Sequence, residues 1–386
     1  MKIVVDDKIP YIREKLAVLA DEVVALRGAE ITADDVRDAD VLIVRTRTRC
    51  DERLLSGSRV KLVATATIGF DHLDTDYLER AGIAWTNCPG CNSGSVAQYV
   101  ECSLLQLQRH KGLELKGATI GIVGCGHVGS KVKRVAERLG MRVLVCDPPL
   151  EEVLSKGRKY GEEALSNGGE WVSLDTIARE ADIISFHVPL TREGRHATWH
   201  MADEAFFHRL ARVPYIINTS RGEVVDNCGL LSALDEGRVR DAVIDVWEHE
   251  PHIDLRLLKR VFIGTPHIAG YSADGKVNAD NMVIDALCQQ FHLPHPGTIA
   301  PPSLPAGFVY SDTSLPLSDR MSGSPIQLND AMPGCPIQLS DALDDSPLQL
   351  YDPLVDSRKL KENPERFESL RNNYPLRREF LEEKQG

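Results

Sequence analysis

The stretch Ala118-Thr119-Ile120-Gly121-Ile122-Val123-Gly124-Cys125-Gly126-His127-Val128-Gly129-Ser130 decides how this chain folds. A β-branched run, ATIGIV, enters a turn with GxGxxG spacing, and the turn opens an amphipathic stretch, SKVKRVAERLG. Strand, glycine turn and helix in that order make a dinucleotide-binding fingerprint, which is weak outside that context. Each glycine has its own task. Gly124 permits the tight turn, Gly126 lets backbone approach a pyrophosphate, and Gly129 lets helix pack close on strand. The first helical turn, with His127 and Val128, points free N–H groups and a positive dipole end at phosphate. The following run, MRVLVC, ends at Asp147. A carboxylate there suits ribose hydroxyls and repels a 2′-phosphate, so NAD is expected rather than NADP.

Working outward, DIISFH, YIINTS, DAVIDVW and VFIGT continue the series to about six strands spaced by helix-length segments, the strand count of a dinucleotide-binding sheet. Upstream, KIVVD, DVLIVR, KLVATAT and GIAWT alternate with helical stretches from Pro10 and Asp74, and a helix runs from Asn92 to about His110. This is an α/β pattern of two consecutive Rossmann-like, doubly wound parallel-sheet domains. Between Asp147 and Trp171 a polar, glycine-rich segment reads as a surface excursion. Beyond about residue 290, Pro, Ser and Asp dominate, and an eleven-residue repeat starts at Pro325, Pro336 and Pro347. Its alternation suits short strands, either as a small third domain or as a linker. Near the end, Phe367, Leu370 and Tyr374 share helical spacing and must dock somewhere.

With 386 residues, 42% of them apolar, the chain exceeds the size at which one core keeps growing. The net charge of -12 argues against nucleic acid or an acidic membrane as partner, so an anionic substrate needs a local basic pocket. No signal-peptide stretch opens the chain and no window nears the ~20 apolar residues of a membrane span; a cytoplasmic protein is expected. Nine cysteines are expected as reduced thiols. Cys88-Pro89-Gly90-Cys91 has CxxC spacing but lacks a second ligand pair, so it reads as an interdomain turn and no metal is expected.

Three segments sit at strand C-termini, where open α/β sheets bind ligands: Asn218-Thr219-Ser220-Arg221-Gly222, Asp245 to Pro251, and Thr265 to Gly270. Taken singly, Arg221 reads as a salt-bridge partner and His267 as a loop residue. Together, Arg, Glu and His are what oxidation of a 2-hydroxy acid needs: a fork for the carboxylate, a base for the hydroxyl, and a carboxylate that tunes the base. Arg45, Arg47 and Arg49 alternate after DVLIV, so as strand residues they would share one face, with Thr46 and Thr48 on the other. They are candidates for a substrate phosphate, or simply a solvated edge.

These residues resemble the D-2-hydroxyacid dehydrogenases from Met1 to about Gly275, and again at FESLRNNYPLRREF. In that family the Arg of N-x-x-R-G, the Glu before the Pro of D-V-x-x-x-E-P and the His of T-P-H are catalytic, which implies Arg221, Glu250 and His267. VDDKIPY, IVRTRT, ATATIGFDHLD, CPGCN, CDPP and HIAGY are similar to the branch that oxidises 4-phosphoerythronate in vitamin B6 synthesis. That likeness implies substrate contacts at Thr46, Thr67 and Tyr271, beside Arg45 as the phosphate candidate of the alternating arginines. It implies cofactor contacts at Asp147, Val188, Thr219, Ser220, Asp245 and Gly270 besides the glycine turn. Thr46 stands where that branch has Ser, and Val188 where it has Thr.

The resemblance also implies a lid domain over 1–92 to which 265–290 returns, an NAD-binding domain over 93–264, and a small α+β domain over 291–386 through which the enzyme forms a homodimer. Lys276 to Pro353 aligns with nothing in the family. Two rivals use the same scaffold. One is a dehydrogenase for 3-phosphoglycerate or glyoxylate/hydroxypyruvate, since fold and catalytic set do not choose the substrate. The other is an NAD-sensing corepressor, against which the full Arg/Glu/His set speaks.

Overall fold

The computed structural model describes residues 1–155, 170–303 and 346–379. The first parallel sheet comprises β1 (Lys2–Asp6), β2 (Glu22–Leu26), β3 (Val41–Val44), β4 (Leu62–Thr65) and β5 (Ala84–Thr86), in the order β2-β1-β3-β4-β5. The second comprises β6 (Thr119–Val123), β7 (Arg142–Cys146), β8 (Glu170–Trp171), β9 (Ile183–Phe186), β10 (Tyr215–Asn218), β11 (Asp241–Ile244) and β12 (Ile263–Gly264). Its order is β12-β11-β10-β9-β6-β7-β8, all parallel. The reversal of strand order between β6 and β9 is the point where such sheets bind dinucleotides. Both sheets are the expected Rossmann-like kind.

Two strands are additional to those expected. β2 has partly exposed residues throughout, and β8 has two exposed residues at the sheet edge. Neither has the continuous burial of β6; β8 carries no apolar run, and the apolar run of β2 follows the helix Arg13–Leu19 with no Gly or Pro between them to mark a new element.

Each sheet buries both faces. Ile3, Val5, Ile43 and Leu62 on one side of the first sheet meet Val283, Ile284 and Leu287 of the helix Ala273–Phe291. The helix Ser93–Lys111 packs Val96, Tyr99, Val100 and Leu104 under the second sheet and ends where Gly112 adopts φ +66, a left-handed conformation open to glycine. The chain therefore crosses between the sheets twice, near Asn92 and near Gly270. The crossings touch: Asn92 Nδ2 donates to Gly270 O at 3.2 Å and Ser95 Oγ to Ala269 O at 2.8 Å.

The first two copies of the eleven-residue repeat lie outside the described residues. The third, from Pro347, is helical rather than stranded: Ser346–Leu350, then Pro353–Glu362. Asp352 accepts from Leu354 N and Pro353 occupies the first turn, so capping chemistry overrides the apparent two-residue alternation. The expected C-terminal helix is Phe367–Asn372. Its Phe367 is 1% exposed and joins Leu360 in the core under the second sheet, while Tyr374 donates to Asp356 at 3.1 Å. The stripe is thus consumed within the chain. No helix among the described residues is long and apolar enough to cross a membrane.

Candidate active site

The glycine turn is shaped as its spacing predicts. Gly124 has φ +90, and a Cβ there would come within 2.7 Å of His187 O and 2.8 Å of Val188 Cγ1, so the end of β9 closes over it. A Cβ on Gly129 would meet Gly124 O at 1.9 Å, whereas one on Gly126 would meet nothing within 4 Å. Helix His127–Arg138 follows with Gly126 at its cap. Gly126 thus leaves open space at a helix N-terminus, which fits a pyrophosphate.

Asp147 follows β7 as expected, and it also holds the turn itself: its Oδ2 accepts from Cys125 N at 2.8 Å and its Oδ1 from Leu150 N at 3.0 Å. His187, unmarked by any motif, joins two strand ends. Its Nε2 meets Ser185 Oγ at 2.8 Å and its Nδ1 meets Thr219 Oγ1 at 3.4 Å. Burial pushes the imidazole down to about 3, so it is a neutral strut.

At the end of β10 the Asn218 side chain builds the loop that carries Arg221. Its Oδ1 accepts from Ser220 N and Oγ at 3.1 and 2.8 Å, and its Nδ2 donates to Arg221 O at 2.9 Å. Arg221 then reaches the first domain, where a Cβ on Gly69 would lie 3.0 Å from Arg221 Nη2. In the same loop Thr67 Oγ1 donates to Gly69 O at 2.8 Å and meets Thr65 Oγ1 at 2.7 Å. Arg221 and Thr67 therefore both lie against the Gly69 loop.

His267 has φ +57, a left-handed conformation unusual for a residue with a Cβ, and two elements hold it there. Asp245, 1% exposed, accepts from Thr265 Oγ1 at 2.6 Å, Ile268 N at 2.8 Å and Ala269 N at 2.9 Å. Its carboxylate is therefore aimed into the His267 loop. Burial raises the Asp245 carboxyl above the usual carboxylate range, against the pull of His267 and these donors. From the other side, His267 Nδ1 meets Glu250 Oε2 at 2.8 Å.

Glu250 is fully engaged: Oε1 accepts from Trp247 N at 2.9 Å, and Oε2 also accepts from Arg371 Nη1 at 3.3 Å. Burial pushes its carboxyl up, but His267, the Trp247 N–H and Arg371 outweigh that and hold it below the ordinary value. A base paired to an ionised carboxylate beside a guanidinium is equipped to take a proton from a hydroxyl next to a carboxylate.

The basic strand face is not formed. β3 ends at Val44 and residues 45–49 turn, with Thr48 N bonded to Arg45 O. Once the chain leaves the sheet, two-residue alternation no longer orders side chains, and the three arginines separate. Arg45 Nε donates to the buried Asp6 at 3.2 Å, Arg47 pairs with Glu368, and Arg49 donates to Asp71 O at 2.9 Å. Thr46 is exposed in the turn. The CxxC is a turn, with Cys91 N on Cys88 O at 3.3 Å. Burial raises both thiols, Cys91 to about 11.

The C-terminal segment enters the site unannounced. Buried Arg377 donates to Ile268 O at 3.1 Å and Tyr271 O at 2.9 Å, clamping the loop after His267. Tyr271 stands edge-on to Tyr374, 6.2 Å between ring centres. Asn92 packs on Gly270, so a Cβ there would displace the Asn92 amide. Nothing in the local pattern around Arg371 or Arg377 points to a site 100 residues away in sequence; a charged helix end looks like a solvated one.

Residues 96–269 match the family model described as D-isomer specific 2-hydroxyacid dehydrogenase, NAD binding domain. The chain is 50% identical to an erythronate-4-phosphate dehydrogenase of Bacteroides fragilis, over 98% of this chain and 97% of that protein. It is 48% identical to one of Bacteroides thetaiotaomicron over the same shares. Among solved structures it is similar to D-lactate dehydrogenase from Aquifex aeolicus in complex with NAD and lactic acid, at 26% identity and a TM-score of 0.60, covering 78% of this chain and 100% of that one. The matched span 96–269 contains the glycine turn, Asp147 and the loops bearing Arg221, Glu250 and His267, and the chain belongs to the D-isomer specific 2-hydroxyacid dehydrogenase family and is an NAD-dependent dehydrogenase.

Proposed function

We propose that this chain oxidises 4-phospho-D-erythronate at C2, giving (R)-3-hydroxy-2-oxo-4-phosphooxybutanoate, in the synthesis of pyridoxal 5′-phosphate. The observation that carries the reading is the His267–Glu250 pair at 2.8 Å, in a chain whose relatives at about 50% identity bear that substrate in their names. Arg221 holds the substrate carboxylate and C2 oxygen between the two sheets. With Nδ1 turned to Glu250, His267 takes the hydroxyl proton on Nε2. Ionised Glu250 favours the imidazolium so formed. Bound NAD supplies the hydride acceptor.

Gly124, Gly126, His127, Val128, Gly129, Val188, Thr219 and Ser220 are the proposed cofactor contacts, together with Asp147 for the ribose. Asp245 and Gly270, which also shape the His267 loop, complete the proposed cofactor contacts. Arg45, Thr46, Thr67 and Tyr271 are the proposed substrate contacts, Arg45 for phosphate. The lid, nucleotide and C-terminal divisions at 92, 264 and 291, a homodimer, and a cytoplasmic setting belong to the same reading. The free cysteines among the described residues support the last. Steady-state NAD reduction with a panel of 2-hydroxy acids tests it: kcat/KM should be highest for 4-phosphoerythronate. A preference for 3-phosphoglycerate or glycerate would overturn the substrate assignment.

A further inference from the structure

We propose that Arg371 is a positioning residue for the acid–base pair: it shares the Glu250 carboxylate with His267 and so limits the strength of the base. The inference rests on the roles given above to Glu250 and His267. It starts from one oxygen. Glu250 Oε2 accepts from His267 Nδ1 at 2.8 Å and from Arg371 Nη1 at 3.3 Å, while Oε1 is held by Trp247 N. One negative charge thus lies between two cations whenever the imidazole is protonated. A carboxylate already neutralised by a guanidinium attracts a second positive charge less, so Arg371 makes it easier for His267 to stay neutral and ready to accept a proton.

The arrangement is anchored. Helix Phe367–Asn372 is fixed by Phe367, 1% exposed in the core, and by Glu368, which binds Arg47 of the first domain and Asn372 on the helix itself. Arg371 is only 23% exposed. The charged and titratable groups around the pair include Asp245 behind the His267 loop, Tyr271 beside Arg371, and Arg377, which donates to Ile268 O and Tyr271 O. Burial works against the Arg371 charge, and the neighbouring Tyr271 and Glu250 restore and strengthen it. The matched family span ends at residue 269, so this cation is supplied by the C-terminal segment.

The test compares wild type with Arg371→Met, which removes the charge and keeps the stem, and Arg371→Lys, which restores it. The titration of His267 is followed by NMR of its imidazole, the signal being assigned by its loss in His267→Asn. Arg371→Met should move the midpoint up by roughly 0.5–1 pH unit, Arg371→Lys should recover most of that, and the acid limb of kcat against pH should follow. An unmoved midpoint in folded Arg371→Met overturns the inference. So does a change confined to KM, which would make Arg371 a substrate contact. A shifted midpoint in a protein that reduces NAD with no 2-hydroxy acid would uphold the pairing and refute the proposed activity. Should Arg371→Met not fold, Arg371→Gln carries the same expectation and the same refutation.

Discussion

Replacing Glu250 by Gln tests the base most sharply, because the amide cannot satisfy the contacts that surround it. The carboxylate accepts from three donors: Trp247 N on one oxygen, His267 Nδ1 and Arg371 Nη1 on the other. A carboxamide has one acceptor oxygen and one donor nitrogen. If the NH2 faces Trp247, two donors collide. If it faces His267, that ring must present Nδ1 as an acceptor and carry its proton on Nε2, the nitrogen that has to take the hydroxyl proton. At the 2.8 Å separation, a carboxylate and an imidazolium attract by about 4–6 kcal/mol at an effective dielectric constant near 20. Both side chains reach solvent, Glu250 at 18% and His267 at 27%, so screening leaves roughly 2–3 kcal/mol. That corresponds to a fall in kcat of about 30- to 150-fold, with the tautomer change adding to it. Stopped-flow NADH absorbance, with NAD affinity measured separately, reads the effect. A Glu250→Gln protein within threefold of wild-type kcat and with an unmoved pH profile would refute the role given to the pair.

Asp147→Ser should lower the NAD/NADP ratio of kcat/KM by roughly tenfold or more. It should also weaken NAD binding, since Cys125 N loses its acceptor; an unmoved ratio would place ribose recognition elsewhere. Phe367→Ala empties a position 1% exposed in the core under the second sheet. It should lower unfolding free energy by about 3–5 kcal/mol; a loss under 1 kcal/mol by urea titration would show that the helix barely docks. Asp280, on the helix that returns to the first sheet, is raised by burial to about 7 despite a hydrogen bond from Tyr11 N. A carboxyl raised on folding stabilises fully below its unfolded value near 4, and that contribution is lost as pH climbs through about 7. Asp280→Asn should therefore match wild type near pH 4 and melt higher at pH 8. Equal melting temperatures at pH 8 would contradict the burial argument.

How much of this was legible in advance follows from the range over which each signal acts. The glycine turn, Asp147 at the end of β7, and the loops bearing Arg221, Glu250 and His267 each depend on a strand and the few residues after it, so local pattern suffices. β8 escaped because it is two exposed residues at a sheet edge, and β2 because its run Val23–Leu26 follows the helix Arg13–Leu19 with no Gly or Pro between them. The basic face of 45–49 failed because alternation has meaning only while the chain stays in the sheet, and β3 stops at Val44.

By itself the sequence determined two doubly wound sheets, the dinucleotide turn and the strand-end loops that bear Arg221, Glu250 and His267, because each is written in a contiguous stretch whose hydrophobic period and turn chemistry are local. Only the tertiary structure decided that Asp147 staples the glycine turn, that Asp245 points into the His267 loop, and that Arg371 and Arg377 come from the far end of the chain to hold Glu250 and the segment after His267. Such contacts pair residues up to 121 positions apart. Their partners are selected by packing rather than by local pattern, so a charged tail whose helical stripe says that it docks, but not where, comes to Glu250 only when Phe367 docks it there.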